Sequence, residues 1–224
     1  MTRRLLAEFI GTFFLVLAGP GAIMVEGLHP GAIGPLGIAI AFGLIVAIMV
    51  FILGPVSGAY INPAVTIAAW SVRRLPLSQV ASYVVAQLSG AVVASLALRA
   101  LLGPVASNGA TIPHVAVAAA FIVEALLSLL VILAVLATDA GGSSRAGAAV
   151  MIGMTIGLCA LVGGPLTGAS MNPARSFGPA LVSGTWTSHW VYWVAPIGGM
   201  LLGTGISRGL QRPGGRSQFS PSPD

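Results

Sequence analysis

The sequence predicts an all-α membrane protein with six transmembrane helices and two re-entrant half-helices, arranged as an inverted repeat. Charged residues make up 7% of the 224 residues, against about 25% in an ordinary soluble domain, and the mean hydropathy is +0.98. The apolar residues fall into six long runs, and one short motif occurs once in each half of the chain. So few charges could not cover a soluble core of this size, so the chain belongs in a membrane.

The six apolar runs are predicted to be transmembrane helices. Each is about 20 residues long, which as a helix crosses a hydrocarbon core of about 30 Å. Their interiors are uniformly apolar, whereas the strands of a lipid-facing barrel alternate. A cleaved signal peptide is the alternative for the first run, but Glu8 interrupts it and the second half holds a counterpart. The predicted spans are 4–25, 34–53, 78–101, 115–138, 146–163 and 189–209.

The arginines predict the orientation. All ten basic residues are arginines, and with the N-terminus inside only Arg99 and Arg175 lie away from the cytoplasmic side. This bias predicts an even number of spans with both termini cytoplasmic, in the plasma or inner membrane. The net charge of +5 is therefore mostly a topology signal and does not indicate nucleic-acid binding. The polar tail 211–224, rich in Pro, Gly and Ser, is predicted to be a disordered cytoplasmic segment.

The two halves of the chain repeat each other. "AEFIGTFFLVLA" (7–18) matches "VEALLSLLVILA" (123–134), which aligns Glu8 with Glu124, and "GPVSGAYINPA" (54–64) matches "GPLTGASMNPA" (164–174). Each half holds three spans, an odd number, so the second copy enters the membrane from the opposite side. Such inverted repeats build pathways at the midplane of a bilayer. Residues 1–210 are thus one predicted domain, with repeats at about 4–101 and 115–209.

The repeated motif predicts two half-helices. Two of the three asparagines of the chain stand in Asn-Pro-Ala, as Asn62-Pro63-Ala64 and Asn172-Pro173-Ala174. Asn is a favoured N-cap and Pro a favoured first helical residue. After the first motif the apolar run lasts about ten residues, or about 15 Å of helix. The preceding segments, "GPVSGAY" in the first copy, are predicted to be extended or turn-like, and Pro179 is expected to bend the second half-helix.

At this point the sequence resembles the aquaporin (major intrinsic protein) family over about residues 4–210. The resemblance rests on the doubled motif, the repeated Glu-bearing helices, "SGAYINPAVT", "NPARSFG" and the closing "HWVYWVAP". It implies a homotetramer in which each chain holds its own pore in the lipid bilayer. The implied function is a passive channel, not an enzyme and without a cofactor, that conducts water and some small uncharged solutes while it excludes protons and ions.

The polar groups of such a pore replace the hydrogen bonds that water loses in single file. Asn62 and Asn172 would donate from the midplane and orient the central water, which breaks the path for proton hopping, and the converging positive helix ends would oppose cations. The backbone carbonyls before each motif are expected to be free acceptors. They belong to Gly58, Ala59, Tyr60 and Ile61 in the first copy and to Gly168, Ala169, Ser170 and Met171 in the second.

The resemblance also implies an outer constriction formed by Phe42, Ala160, Ala169 and Arg175. Strict water channels usually have a histidine where Ala160 lies, so this opening is expected to be wider and less polar. Typical glycerol channels have an aspartate where this chain has Ser176, and Tyr192-Trp193 resembles the water channels. An alternative is therefore a channel mainly for glycerol, ammonia or neutral metalloid acids.

Other residues have competing interpretations. Glu8 and Glu124 could be proton-relay groups, but the resemblance implies that they accept hydrogen bonds from the re-entrant loops. A coupled transporter would place an acid in those loops, and neither copy has one there. Tyr60 replaces a histidine common in the family. Three histidines, His29, His114 and His189, lack the spacing of a metal site and are expected at the membrane interface.

Overall fold

The computed structural model describes residues 2–140 and 142–210, so the predicted tail lies outside the described residues. Within these ranges the chain is helical and contains no strand. A short left-handed turn, Ala106–Gly109, separates the two halves. The helices are α1 (Thr2–Leu28), α2 (Gly34–Ser57), α3 (Pro63–Ser71), α4 (Leu77–Leu102), α5 (Val117–Ala140), α6 (Arg145–Thr167), α7 (Pro173–Ser183) and α8 (Val191–Leu210).

The predicted fold class is confirmed. Five of the helices, α1, α2, α4, α5 and α6, are long and apolar enough to cross a membrane by length and composition. The sixth long helix, α8, has 20 residues and packs along α5, as α1 packs along α4 in the first half. The short helices α3 and α7, of 9 and 11 residues, occupy the same place in each half. Each long helix ends one to four residues after the predicted span, whereas α5 and α8 begin two residues after their predicted starts.

Small residues let the long helices approach closely. At Gly43 on α2 an added Cβ would lie 2.8 Å from the carbonyl oxygen of Gly153 on α6. At Gly199 on α8 it would lie 2.1 Å from the carbonyl oxygen of Ala125 on α5. Both pairs of helices therefore pack backbone against backbone, which joins the two halves through α2 and α6.

Each half-helix begins at its asparagine, as predicted. The Asn62 side chain accepts a hydrogen bond from the Ala64 amide, and the Asn172 side chain accepts from the amides of Ala174 and Arg175. Both residues are extended and are followed by Pro at the first helical position. Short local rules of capping thus determine where α3 and α7 start.

The prediction that "GPVSGAY" is extended or turn-like was wrong for residues 54–57. α2 continues through Pro55 to Ser57 and ends because Gly58 takes a left-handed conformation, with φ of 94°. α6 likewise continues through Pro165 and ends at Gly168, with φ of 82°. Each proline removes one backbone donor, and the helix ends two residues after it. Only residues 58–62 and 168–172 connect each long helix to its half-helix.

Several arginines lie together at one end of the helix bundle. Arg3 and Arg4 border a recess with Pro55 at the end of α2. Arg145 lies over the ring of Phe51, 5.1 Å from its centroid. Arg208 donates a hydrogen bond to the carbonyl of Ser71 at the end of α3. The start of α1 and the end of α8 are therefore at the same end of the bundle.

Candidate functional site

A cavity of about 600 Å³ runs through the middle of the bundle. Arg74 and Arg145 lie at one end of it, and Phe42 and Arg175 line its deepest part. Most of its wall is aliphatic, and its polar groups come from the two re-entrant segments and from Arg74, Thr138, Arg145 and Arg175. Among the described residues that line it there is no Asp or Glu. The apolar wall residues include Val46, Val50, Val65, Val131, Ile132, Val135, Ile152 and Ile156.

The two asparagines of the repeated motif meet in the centre of this cavity and hold the two re-entrant segments together. Asn62 Nδ2 donates to the Met171 carbonyl at 2.8 Å, and Asn172 Nδ2 donates to the Ile61 carbonyl at 2.9 Å. The expectation that all eight carbonyls are free is therefore corrected for Ile61 and Met171. Within the described residues each side-chain nitrogen, Nδ2, makes this one hydrogen bond. Its second N–H is therefore left for a molecule in the cavity.

Glu8 is fully buried beside the first re-entrant segment. Its carboxylate accepts hydrogen bonds from the backbone amides of Tyr60 and Ile61, at 3.0 and 2.6 Å, and from the hydroxyl of Ser57 at 2.6 Å. Gln87 on α4 also donates to it at 2.7 Å. The carboxylate thus satisfies a loop whose backbone has no helical partners at membrane depth.

Glu124 does the same in the second half. It is fully buried and accepts from the amides of Ser170 and Met171, each at 2.8 Å, and from the hydroxyl of Thr167 at 2.7 Å. The repeat therefore extends to individual contacts, because Thr167 occupies the position that Ser57 has in the first half. In both halves the carboxylate faces the backbone and does not line the cavity.

These contacts orient the backbone carbonyls. In a planar trans peptide group the N–H and the C=O point in opposite directions. The amides of Tyr60 and Ile61 point at Glu8, so the carbonyls of Ala59 and Tyr60 point away from it. The same geometry at Glu124 turns the carbonyls of Ala169 and Ser170 away. All four of these residues line the cavity, as Gly58 also does, whereas Gly168 is not among its lining residues.

Arg175 directly follows the second motif in the chain and is 1% exposed. Its Nη1 donates to the carbonyl of Gly109 at 2.7 Å, and its guanidinium carbon lies 5.0 Å from the centroid of the Phe42 ring. Within the described part of the chain, Nε and Nη2 have no hydrogen-bond partner. Arg175 lines the cavity, so these two buried donors lie beside it without a protein partner.

Three of the four residues of the predicted constriction line the cavity, and the fourth does not. Phe42, Ala169 and Arg175 line the cavity. Ala160 on α6 is buried in the same apolar cluster as Phe42 and Ala169 but is not among the lining residues. Its part in the constriction stays a prediction. Tyr60 lines the other half of the cavity, with its ring 5.9 Å from that of Tyr83.

Some residues of the site were missed by sequence reasoning. Gln87 donates to both Glu8 and Thr66 from within an apolar span, and its isolated polarity was a usable signal. Ser57 and Thr167 occupy the same position in the two repeats, and this match was a second usable signal. Gly109 carried no such signal, because its carbonyl reaches Arg175 only through the folded loop.

His189 packs among aromatic side chains. His189 accepts a hydrogen bond from the indole nitrogen of Trp193 at 3.1 Å and lies among Phe177, Trp186 and Tyr192. No group of three or more His, Cys, Asp or Glu side chains that could hold a metal occurs in residues 2–140 and 142–210.

Comparison with known proteins assigns the family. The model of the major intrinsic protein family matches residues 1–206. A probable aquaporin of Arabidopsis thaliana, NIP4-2, is 42% identical over 207 residues, which are 91% of this chain and 72% of that protein. Nodulin-26 of Glycine max is also 42% identical, over 91% of this chain and 76% of its own length.

Structural comparison agrees with the sequence matches. The X-ray structure of the aquaglyceroporin from Plasmodium falciparum superimposes with a TM-score of 0.86 at 24% identity, over 92% of this chain and 94% of that one. At this identity the likeness shows the fold, and the sequence matches show the family. The chain belongs to the major intrinsic protein family.

Proposed function

We propose that the protein is a passive channel that conducts water and small uncharged solutes across a membrane and excludes protons and ions. The observation that carries the proposal is the pair of asparagine amides, Asn62 and Asn172, at the centre of a cavity whose lining is otherwise mainly aliphatic. Relatives at 42% identity bear the name aquaporin or nodulin-26, which supports the same function.

Ion exclusion follows from the charges around the cavity. The N-terminal ends of α3 and α7 meet at the asparagines, and each carries a positive partial charge. Arg175 adds a full positive charge at the deepest part. A cation would have to leave its hydration shell against these charges, and the carbonyls alone offer it too little compensation.

Proton exclusion follows from the donors. A water that accepts from both second N–H groups of Asn62 and Asn172 must donate outward in both directions. Neighbouring waters then point away from the midplane, so a proton cannot hop through the chain of waters.

A wider solute range is the second candidate function, and small side chains favour it. Ala169 gives the cavity wall little bulk near Phe42 and Ala160 is buried in the same cluster, while Nε and Nη2 of Arg175 have no protein partner among the described residues. Glycerol, ammonia and undissociated metalloid acids are of suitable size and neutral. The fold match to an aquaglyceroporin is consistent with this candidate but does not select it.

Assembly and orientation belong to the same proposal. The family resemblance supports a homotetramer in which each chain keeps its own cavity. The arginines at the end of the bundle that holds the start of α1 and the end of α8 support a cytoplasmic position for that end. A coupled transporter is disfavoured, because no acidic residue lines the cavity in the described part of the chain.

Stopped-flow light scattering on proteoliposomes tests the proposal. We expect downhill shrinkage in an osmotic gradient, faster than in empty liposomes and independent of any ion gradient, with slower re-entry of glycerol, urea or boric acid. Water permeability equal to that of empty liposomes would contradict the proposal. Transport that requires a sodium or proton gradient would instead show a coupled transporter.

A further inference from the structure

The segment between the two halves, residues 106–111, contains an unusual turn. Ala106, Ser107, Asn108 and Gly109 all have positive φ, of 46°, 46°, 58° and 70°. Three of these residues are not glycine, and each such residue in the left-handed region costs free energy. A turn of this kind persists only where contacts with the rest of the protein hold it. The contacts of residues 106–111, here named the strap, therefore indicate its role.

One side of the strap is fixed to the first half of the protein. Asn108 is 1% exposed, and its Nδ2 donates to the carbonyl of Ser95 on α4 at 3.1 Å. Gly109 lies against α1 so closely that an added Cβ would be 2.7 Å from the side chain of Pro20. This contact leaves the carbonyl of Gly109 directed at Nη1 of Arg175, 2.7 Å away.

The other side of the strap is fixed to the second re-entrant segment through a chain of hydroxyl groups. Thr111 Oγ1 donates to Ser176 Oγ at 2.8 Å, and Ser176 Oγ lies 2.5 Å from Ser170 Oγ. Ser170 in turn donates to the carbonyl of Asn172 at 3.0 Å. Since Ser170 uses its proton there, Ser176 is the donor to Ser170. The four residues form one directed chain that is buried throughout.

We propose that the strap sets the position of the Arg175 guanidinium, and that Thr111 and Asn108 are positioning residues for solute selection. The inference rests on the proposed channel function. Neither residue lines the central cavity, and among the described residues the side chain of Arg175 donates to Gly109 and to neither of them. They act through the Gly109 carbonyl, which accepts from Arg175, and through the Ser176 hydroxyl, which fixes the residue next to Arg175 in the chain. Selectivity is thus determined partly by residues that no solute touches.

Two substitutions of Thr111 test this. Thr111→Val removes the hydroxyl and keeps the shape, whereas Thr111→Ser keeps the hydroxyl. We expect Thr111→Val to raise the ratio of glycerol to water permeability at least about twofold. This is the lower end of the effect that the loss of one hydrogen bond has on an equilibrium constant. Two variants are controls: Thr111→Ser, and Ser107→Ala at an exposed position of the same turn. Both should keep the ratio of glycerol to water permeability of the parent protein. Hydrogen–deuterium exchange of peptides covering 106–111 should be faster in Thr111→Val than in Thr111→Ser.

Each outcome decides a separate point. An unchanged ratio in Thr111→Val, or an equal change in Thr111→Ser, overturns the positioning role. If Thr111→Val does not fold, Ser176→Ala breaks the same chain one residue later and must raise the ratio instead. If the parent passes neither water nor glycerol, the proposed channel function fails. The exchange rates then still show whether the Thr111 hydroxyl holds the strap.

Discussion

At the scale of single residues, Asn62 and Asn172 each have two separate tasks. The side-chain oxygen caps a half-helix, and the side-chain nitrogen donates across the cavity to the opposite segment. Aspartate is as good an N-cap as asparagine but has no N–H to donate. The two tasks can therefore be separated by one substitution.

We expect Asn62→Asp and Asn172→Asp to admit cations. The new carboxylate keeps the cap but brings a negative charge to the centre of the cavity. A cation about 4 Å away would gain about 4 kcal/mol at an effective dielectric constant of about 20, so potassium leakage should rise at least tenfold. Potassium and proton fluxes into proteoliposomes measure this, with water permeability as the control. Variants that fold, conduct water and still exclude both ions would show that the midplane charges are not the barrier.

The second residue-scale prediction concerns Ala160. A histidine there adds the volume and nitrogens of an imidazole next to Phe42 and Ala169, in whose cluster Ala160 is buried. We expect Ala160→His to lower glycerol flux about tenfold or more, since one methylene of misfit in a close-fitting site already costs about 1–3 kcal/mol. Most of the water flux should remain, because water needs little width. Ala160→Gly is the small-residue control.

Solute uptake and osmotic shrinkage measured on the same proteoliposomes give both fluxes. If the parent passes water alone, or if Ala160→His leaves glycerol flux at the parent value, Ala160 does not belong to the limiting constriction.

Residues that act through local rules could be predicted from the sequence, and those that act through distant contacts could not. The capping of α3 by Asn62 depends on the next two residues, so the sequence predicts where the half-helix begins. The hydrogen bond from Asn62 to Met171 joins residues 109 positions apart and appears only in the folded chain. Asn108 was not singled out for the same reason, since its partner Ser95 is on α4.

At the scale of elements, the half-helices depend on the long helices around them. α7 packs against α4, and at Gly178 an added Cβ would lie 2.5 Å from the carbonyl of Ala91. α8 approaches α5 even more closely, at Gly199. α5 carries Glu124, which holds the second re-entrant segment. The spacing between α5 and α8 therefore affects the cavity as well as the stability.

Two neighbouring glycines of α8 test this spacing. An added Cβ at Gly199 would lie 2.1 Å from the Ala125 carbonyl, whereas at Gly198 it meets nothing within 4 Å. Gly199→Ala should destabilise the protein by about 1–3 kcal/mol, as overpacking does in well-packed cores. Gly198→Ala should leave stability unchanged or raise it, because alanine is the better helix former. Thermal unfolding in the same detergent compares them, and equal unfolding midpoints would contradict the close approach of α5 and α8.

At the scale of the whole molecule, the outer surface of the bundle is apolar. Large side chains such as Leu36, Leu96, Leu126, Met154 and Leu202 are more than half exposed. The apolar clusters inside surround the cavity and the re-entrant segments instead. An exposed apolar surface of this kind must be covered by lipid or by other copies of the chain.

The last prediction concerns assembly. Each chain encloses its own cavity, so conduction does not require a pore between chains, and a tetramer would bury part of the apolar surface against neighbouring copies. Four identical chains in a ring use one patch against a different patch of the next copy, so the ring closes. We expect native mass spectrometry in mild detergent, and cross-linking in liposomes, to show four chains. The family resemblance supports this number. A stable monomer with full water permeability would show that conduction needs one chain only and that the assembly serves another purpose.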